Sequence, residues 1–472
     1  MRRFAYFVLA ACCLQAVGLS AADVPSGVID IRSRRELFVD RFLIDQLQGT
    51  ALKLHTPHLA DRTAKPRPQG HYATVLKDGG LFRLYSRGDK RPGISWKTDG
   101  IEAYHDNEVT LYAESRDGIH WTEPNLGLYR VERYPHGNVV LAGEFLVNHN
   151  FTPFIDTRPN VPAEQKYKAL GGLAYQPHQR AVRKKRGPGG LKAFVSADGT
   201  HWHKLQAQAV IPEQWGKYFD SQNAVFWSTS ERCYVCYFRR LEKGLRSISR
   251  TTSTDFIHWT APVPTHANLP GEHLYTSVTQ PYFRAPHIYI ATPTRFMPRR
   301  GSSTDILLMS SRGGNRFDRT FREAFIRPGP DPAAWGNRAN YAAIGIYKTG
   351  PAEMSIFMYG GRRYVLRIDG FVSVHASWTS GEMITKPLRF NGRELEINYA
   401  TSAGGDLRVE IQDADRRPIP GFRLSDSVQM VGDQIARIVT WKQGRDLSRL
   451  AGRAVRLRFV MQDADLYSLR FR

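Results

Sequence analysis

The sequence predicts an all-β chain, a five-bladed β-propeller followed by a C-terminal β-sandwich. Three observations predict it. Short runs such as "HYATVL", "LFRLYSR", "EVTLYAES", "YKALGGLAY", "CYVCYFR", "IYIATP" and "MSIFMYG" are rich in Val, Ile, Tyr and Phe and are fenced by Gly, Pro, Asp or Asn, as strands are. No run carries the apolar periodicity of an amphipathic helix of three turns. One phrase is also written four times, as "SRDGIHW" at 115–121, "SADGTHW" at 196–202, "STDFIHW" at 253–259 and, degenerate, "SRGGNRF" at 311–317.

The first serines of the phrase are Ser115, Ser196, Ser253 and Ser311, so successive copies stand 81, 57 and 58 residues apart. A period of about 55–60 residues in an all-β chain suits four strands and their loops, one propeller blade. Ser and Asp side chains bond nearby backbone N–H groups and hold a tight turn. Gly118 and Gly199 permit positive φ there. The Trp three residues on can pack between neighbouring sheets. The phrase therefore reads as a turn between the outer strands of a blade, with no catalytic part.

The elements follow in order. Residues 1–22 read as a secretory signal peptide, with Arg2 and Arg3 before a short apolar run and small residues near Ala22. "LAAC", Leu9 to Cys12, also allows a lipoprotein anchor. The expected location is secreted or periplasmic, and no other segment is long and apolar enough to cross a bilayer. Residues 23–69 form a lead-in, in which "RELFVDRFLID" (35–45) reads as a strand pair able to close the ring. Residues 70–378 hold the propeller. Its blades start at about Gly70, "NHNFTPFID", "YFDSQNAVFW", "EHLYTSVTQPYF" and "NRANYAAIGIY", and the fifth ends at "YVLRIDGFVSVHA". Residues 379–472 alternate strictly, with Leu407, Val409 and Ile411 on one face and Val455, Leu457 and Phe459 likewise, as half-buried antiparallel strands do. The echo of "QDAD" at 412–415 and 462–465 reads as a repeated turn.

Composition excludes several classes. Cys12 and Cys13 leave with the signal. Cys233 and Cys236, at i, i+3 on a strand, point to opposite faces and neither bridge nor hold a metal. A net charge of +22 would suggest nucleic acid in a cytosolic protein, but in an exported one it suits an anionic glycan or envelope better. The densest basic run, "RAVRKKRGPGG" (180–190), reads as a solvated surface loop. No phosphate loop, nucleophile elbow or zinc motif occurs. The oligomeric state is not encoded in any motif.

A five-bladed propeller with a C-terminal sandwich resembles the glycoside hydrolases of families 32, 43 and 68. The phrases "ELFVDRFLID", "YAESRDGIHW", "NFTPFIDT", "FDSQN" and "EHLYT…QPYFRAPHIYI" look like those of exported bacterial family-32-like proteins. The repeated turn is similar to the Asp-box turns of sialidases. The resemblance implies a glycosidase with carboxylates gathered at the mouth of the channel, acting on a carbohydrate. The first-blade acid of family 32 is missing, because "PRPQGHYATV" contains none.

Glycoside cleavage needs two carboxyls across the scissile bond. Acids at the starts of inner strands meet even when far apart in sequence. Asp156, Asp220 and Glu272 occupy such positions and are the candidate catalytic residues, Glu272 as acid with a raised pKa and Asp220 as base or nucleophile. Asn150, Gln222, Asn223, Arg239, His273, Tyr275, Arg284, Asn337 and Arg338 are the candidate substrate-binding residues. Trp96, Trp335 and Tyr341 are candidate stacking platforms. Asp40 and Asp45 read as structural, with Asp40 able to replace the missing first-blade acid. No cofactor is expected. His149 and His273 are the candidates for a metal in the channel, where the resemblance allows a Ca²⁺. Two further readings stay open: a non-catalytic carbohydrate-binding propeller, and a sialidase-like enzyme with Arg239, Arg284 and Arg338 around a carboxylate.

Overall fold

A computed structural model describes residues 27–60, 72–216, 219–336 and 338–472. The chain is all-β, with two seven-residue α-helices, Gly100–Asp106 and Arg180–Arg186. Five antiparallel units follow one another. The first comprises Thr74–Asp78, Leu81–Asp89, Glu108–Ser115 and Val139–Ala142. The second comprises Thr152–Ile155, Tyr167–Gly171, Gly190–Ser196 and His203–Lys204. The third comprises Ala224–Ser228, Cys233–Glu242, Leu245–Ser253 and Val263–Pro264. The fourth is split into Thr279–Tyr282, Ala285–Ala291 and Met309–Ser311, and a separate sheet of His273–Leu274, Thr294–Met297 and Ser303–Ile306. The fifth comprises Ala342–Lys348, Glu353–Met358 and Arg362–Arg367, and its outer edge is completed by His58–Leu59.

The first strand of each unit adjoins the first strand of the next. The last of these, Ala342–Lys348, returns to Thr74–Asp78 through Ile344 opposite Thr74. Between units lie aromatic cores. Trp202 meets Tyr85 and Phe151 edge-on, and Trp121 meets Phe357 of the fifth unit.

The repeated phrase forms one turn three times. Gly118 N–H donates to Ser115 Oγ at 2.8 Å, while Ile119 and His120 N–H donate to Asp117 Oδ1 at 2.8 Å each. Ser196 with Asp198, and Ser253 with Asp255, repeat this pattern. Each turn follows the third strand of its unit. Phe256 takes the glycine position at φ 71°, a conformation that L-residues disfavour, and its ring is fully buried against Phe154, Tyr234 and Trp259. In the degenerate copy the aspartate is gone, and Glu231 from the third unit accepts the Gly314 N–H.

A ten-stranded sheet forms the rest. Its spine is the antiparallel pair Leu395–Asp413 and Val455–Phe471. Leu407, Val409, Ile411, Val455, Leu457 and Phe459 are all fully buried in one core with Phe422 and Trp441. The lead-in joins this sheet through residues 29–54 and the fifth unit through His58–Leu59. Ile29–Arg32, Glu36–Leu37, Ile44–Gln48 and Thr50–Leu54 all pair within it. Val372–Ala376, expected at the end of the fifth blade, also belongs here, paired with Thr50–Leu54 and Val455–Phe471. Within the lead-in it is His58–Leu59, and not 35–45, that pairs with the fifth unit. The second "QDAD", 462–465, lies inside a strand and is no turn, whereas at 412–415 Asp413 Oδ1 accepts from Asp415 and Arg417.

The basic run also departs from expectation. Arg180–Arg186 is a helix, docked through Arg186 onto Glu102 and Asp106 of the other short helix. Cys233 and Cys236 are free thiols. No helix among the described residues is long and apolar enough to cross a membrane. The proposed signal peptide, residues 1–22, lies outside the described residues.

Candidate active site

The residues just before the five first strands converge. Tyr72, His149, Asp220, Tyr275 and Tyr341, one from each unit, line a cavity of about 490 Å³. Arg87, on the second strand of the first unit, and Arg338 line it too. One wall is the segment carrying Trp96, Lys97 and Tyr104, and the opposite wall carries Gln176 and Gln179. Helix Gly100–Asp106 holds the first wall, and the ion pairs of Arg186 tie it to the second.

The backbone at these positions is bent sharply. Tyr72, Phe219, Val278 and Arg338 have φ of 62°, 47°, 39° and 61°. Non-glycine residues hold such angles only where their surroundings impose them, and they cluster at functional sites. At Asp220 the imposing residue is Asn150. Its Nδ2 donates to the carbonyls of Gly172, Phe219 and Ser221 at 3.1, 2.7 and 3.0 Å, and its Oδ1 accepts the Gly172 N–H at 2.9 Å. Gln222 reaches across to the first unit, donating to Ala73 O at 2.8 Å and Thr74 Oγ1 at 3.0 Å.

The Asp220 side chain is 42% exposed and lines the cavity. His149 Nε2 is 3.0 Å from Oδ1, Arg239 Nη2 is 3.4 Å from Oδ2, and the Tyr72 hydroxyl donates to Oδ1 at 3.4 Å. Burial works to raise the Asp220 pKa, and Arg239 and His149 outweigh it, so the carboxyl sits well below the usual range and is ionised. Behind His149 the chain of contacts continues. His149 Nδ1 lies 2.7 Å from Glu108 Oε1, and Glu108 Oε2 lies 2.7 Å from His105 Nδ1. The Glu108 side chain is fully buried, and the two imidazoles hold its pKa far down against the effect of burial. Burial lowers the His149 pKa, but Glu108 and Asp220 overcome this and raise it above 6.5.

Among the described residues, His105, Glu108 and His149 are the one group whose side chains are close enough to share a metal ion. They do not fit one well. Each is hydrogen-bonded to another member, and Arg87 Nη1 stands 2.9 Å from His149 Nδ1, a cation where the metal would be. His273 is remote from this group, its Nδ1 accepting the Arg246 N–H.

Three candidate residues, Asp220, Tyr275 and Arg338, line the cavity, and a fourth, Arg239, pairs with Asp220. Arg239 is buried, with its guanidinium 4.6 Å from the Tyr275 ring, and Arg338 Nη1 donates to the Tyr275 hydroxyl at 3.4 Å. Trp96 and Tyr341, expected as stacking rings, also line it.

The others lie elsewhere. Glu272 does not face Asp220. Both its oxygens are taken by Arg319, at 2.9 and 3.1 Å, and it borders a different cavity. Its partner stands 47 residues away in sequence. Asp156 is fully buried in an ion pair with Lys168 at 2.9 Å and accepts the Tyr234 hydroxyl at 2.6 Å. Asn150, Gln222 and Asn223 are buried braces, not sugar ligands, since their amides bond backbone and Thr74. Arg284 pairs with Asp369 at 2.8 Å, so it cannot join Arg239 and Arg338 around a carboxylate as the sialidase-like reading requires. Asp40 pairs with Arg312, and Asp45 with Arg416 and Arg456, so neither replaces the missing acid. Asn337 lies outside the described residues.

Sequence reasoning missed Tyr72, Arg87, His105 and Glu108, and gave His149 only a metal role. A search for acids at strand starts passes over tyrosine and histidine at the equivalent positions. The signal was there in the shared place, a polar residue one to four positions before each first strand.

No family model matches the chain, and no curated protein matches it. Solved structures do resemble it. A glycoside hydrolase family 43 arabinoxylan arabinofuranohydrolase from Bacillus subtilis aligns at 13% identity over 89% of this chain and 99% of that one, with a TM-score of 0.41. An N-acetylgalactosamine deacetylase from F. plautii aligns at 12% identity over 87% and 95%, with a TM-score of 0.42. A fructofuranosidase from Schwanniomyces occidentalis aligns at 10% identity over 88% and 99%, with a TM-score of 0.39.

Proposed function

We propose that the chain is an exported glycosidase, a five-bladed propeller with a C-terminal sandwich that hydrolyses O-glycosyl bonds of an anionic saccharide in the cavity at Asp220. The observation that carries this is an ionised carboxylate beside an open cavity, lined by Tyr72, Arg87, His149, Tyr275, Arg338 and Tyr341 from the other four units. The cyclic order of the first strands supports the propeller. Aromatic rings and hydrogen-bond donors around a concave site suit a sugar. Arg87, Lys97, Arg239 and Arg338 outnumber Asp220 and Glu108, which favours a uronate or a sulfate ester.

Asp220 takes the proton of a water that attacks the anomeric carbon, the glycosidic bond breaks, and the leaving oxygen takes its proton from solvent in the open cavity. His149 orients it and offers the proton a path toward Glu108. The test is reducing-end release from a panel of neutral, uronic and sulfated polysaccharides. Asp220→Asn should lower turnover by about 10³-fold with binding retained. Full turnover by that variant would refute the assignment.

A second reading is a propeller that binds the same class of saccharide without cleaving it. It is favoured by Asp220 being the one carboxylate among the described residues lining the cavity. Affinity for an acidic polysaccharide that no wild-type digestion shortens would establish it.

A further inference from the structure

A second cavity, about 850 Å³, opens beside the fourth unit. It is lined by Trp335, Met297, Pro270 and Pro328, with Arg300, Arg327, Asp305 and Glu323 among its polar residues. Trp335 keeps 54% of its surface exposed, although an indole favours burial. It is fixed all the same. Its Nε1–H donates to Gly329 O at 2.8 Å, and it ends a short 3₁₀ turn begun by Asp331, whose side chain accepts the Ala333 N–H. The indole's one polar atom is thus satisfied within the protein, and the ring offers only its flat apolar surface to the cleft.

The floor of the cleft is equally set. Arg295 forks onto both oxygens of Asp305, at 2.9 and 2.5 Å, and Arg319 onto both oxygens of Glu272. Paired in this way, these groups are planar and rigid. A rigid aromatic plate beside fixed donors and acceptors of both signs matches a pyranose, whose axial C–H face is apolar and whose edge carries hydroxyls. A protein partner needs a broader, flatter face.

The two cavities share a wall. Arg338 lines the first, and its N–H donates to Ser302 O at 2.9 Å, next to Ser303, which lines the second. Residues Glu272 to Tyr275 likewise run from one to the other. Trp335 and Arg338 are three residues apart, so their Cα atoms are at most about 11 Å apart. The two linings therefore come within the span of a short oligosaccharide along this segment.

We infer that the cleft at Trp335 is a second saccharide subsite, which holds a further sugar of the chain whose reacting unit sits at Asp220. It rests on the proposed glycan-processing role for its ligand, but its occupancy does not depend on turnover. The protein would then prefer polymers to short substrates.

The experiment is affinity electrophoresis of the full-length protein through gels containing polygalacturonate, chondroitin sulfate, arabinan or levan. Reducing-end release from the same polymers is measured in parallel. Trp335→Ala should weaken retardation about tenfold, Trp335→Phe should restore most of it, and Asp220→Asn should be retarded like the wild type. Exposure of Trp335 makes an unchanged melting temperature the expected folding control. Retardation equal in wild type and Trp335→Ala overturns the subsite, as does wild-type migration unaffected by all four polymers. Loss of retardation in Trp335→Ala without any hydrolysis by the wild type keeps the subsite and overturns the hydrolase. Hydrolysis with normal retardation of Trp335→Ala does the reverse.

Discussion

Nε2 of His149 lies 3.0 Å from Oδ1 of Asp220, so the accessible carboxylate of the cavity is anchored to an imidazole that is itself buried. The other ring nitrogen meets Glu108 at 2.7 Å. Burial lowers the His149 pKa, and the two carboxylates more than reverse this. A raised folded value means that the stabilisation is complete below the unfolded value of about 6.5 and is lost as pH rises through the folded one. Glu108→Gln should therefore move the His149 titration down, followed by the imidazole Cε1–H resonance. It should also cost about 3–5 kcal/mol, because two buried histidines lose their shared partner. An unshifted titration would remove Glu108 from the relay.

Asn150→Ala should harm function more than stability. The amide closes four hydrogen bonds around the turn that presents Asp220. Leaving those backbone groups unmet costs about 1–3 kcal/mol in denaturant unfolding. Reducing-end release should fall well beyond that loss, as the carboxylate swings from place. Turnover equal to the wild type in the variant would show that Asp220 is held by His149 and Arg239 alone.

Asp369 should be the costliest surface-remote residue to lose. It is fully buried between the fifth unit and the C-terminal sheet, where it accepts from Tyr282, Arg284 and Ser468 at 2.7, 2.8 and 2.6 Å. Asp369→Ala strands Arg284 and should destabilise by about 3–5 kcal/mol. Denaturant midpoints measure this, and a loss below about 1 kcal/mol would mean that the two parts cohere without the hub.

The three repeated turns should govern the acid limb of stability. Burial pushes Asp117, Asp198 and Asp255 up, but the following histidine and its neighbouring backbone N–H groups bring each well below the usual range. A depressed pKa contributes stability above the unfolded value of about 3.9 and loses it as pH falls through the folded one. The aspartates are nearly half exposed, so each contributes modestly, about 0.5–1 kcal/mol. In the triple Asp→Asn variant the gap to wild type should be widest near pH 7 and close below pH 4. A gap constant with pH would assign the turns to neutral hydrogen bonds.

Strand class and the repeated turn were legible because short β-rich runs and a recurring phrase are local signals. Pairing over long distance was not. Nothing in "RELFVDRFLID" says that its partners are 455–471 and 381–385 and not the strands of the five units, because both offer an apolar edge of the same kind. The basic stretch 180–186 hid a helix, since the acids that neutralise it, Glu102 and Asp106, lie some 80 residues earlier. Asp220 was readable from its place before a first strand. Glu272 had the same credentials, and only the position of Arg319 distinguishes a structural carboxylate from a reactive one.

The seam of the ring has a consequence for how the molecule comes into being. His58 and Leu59 complete the sheet of Arg362–Arg367, with Leu59 opposite Tyr364 and His58 opposite Val365. The outer strand of the fifth unit is therefore made some three hundred residues before the strand it joins. Until Arg362–Arg367 is in place, His58–Leu59 has no partner strand, and unpaired strand edges recruit other chains. Late closure of this kind makes folding slow by topology, and a chaperone that shields the waiting edge would raise yield more than one that speeds any single blade.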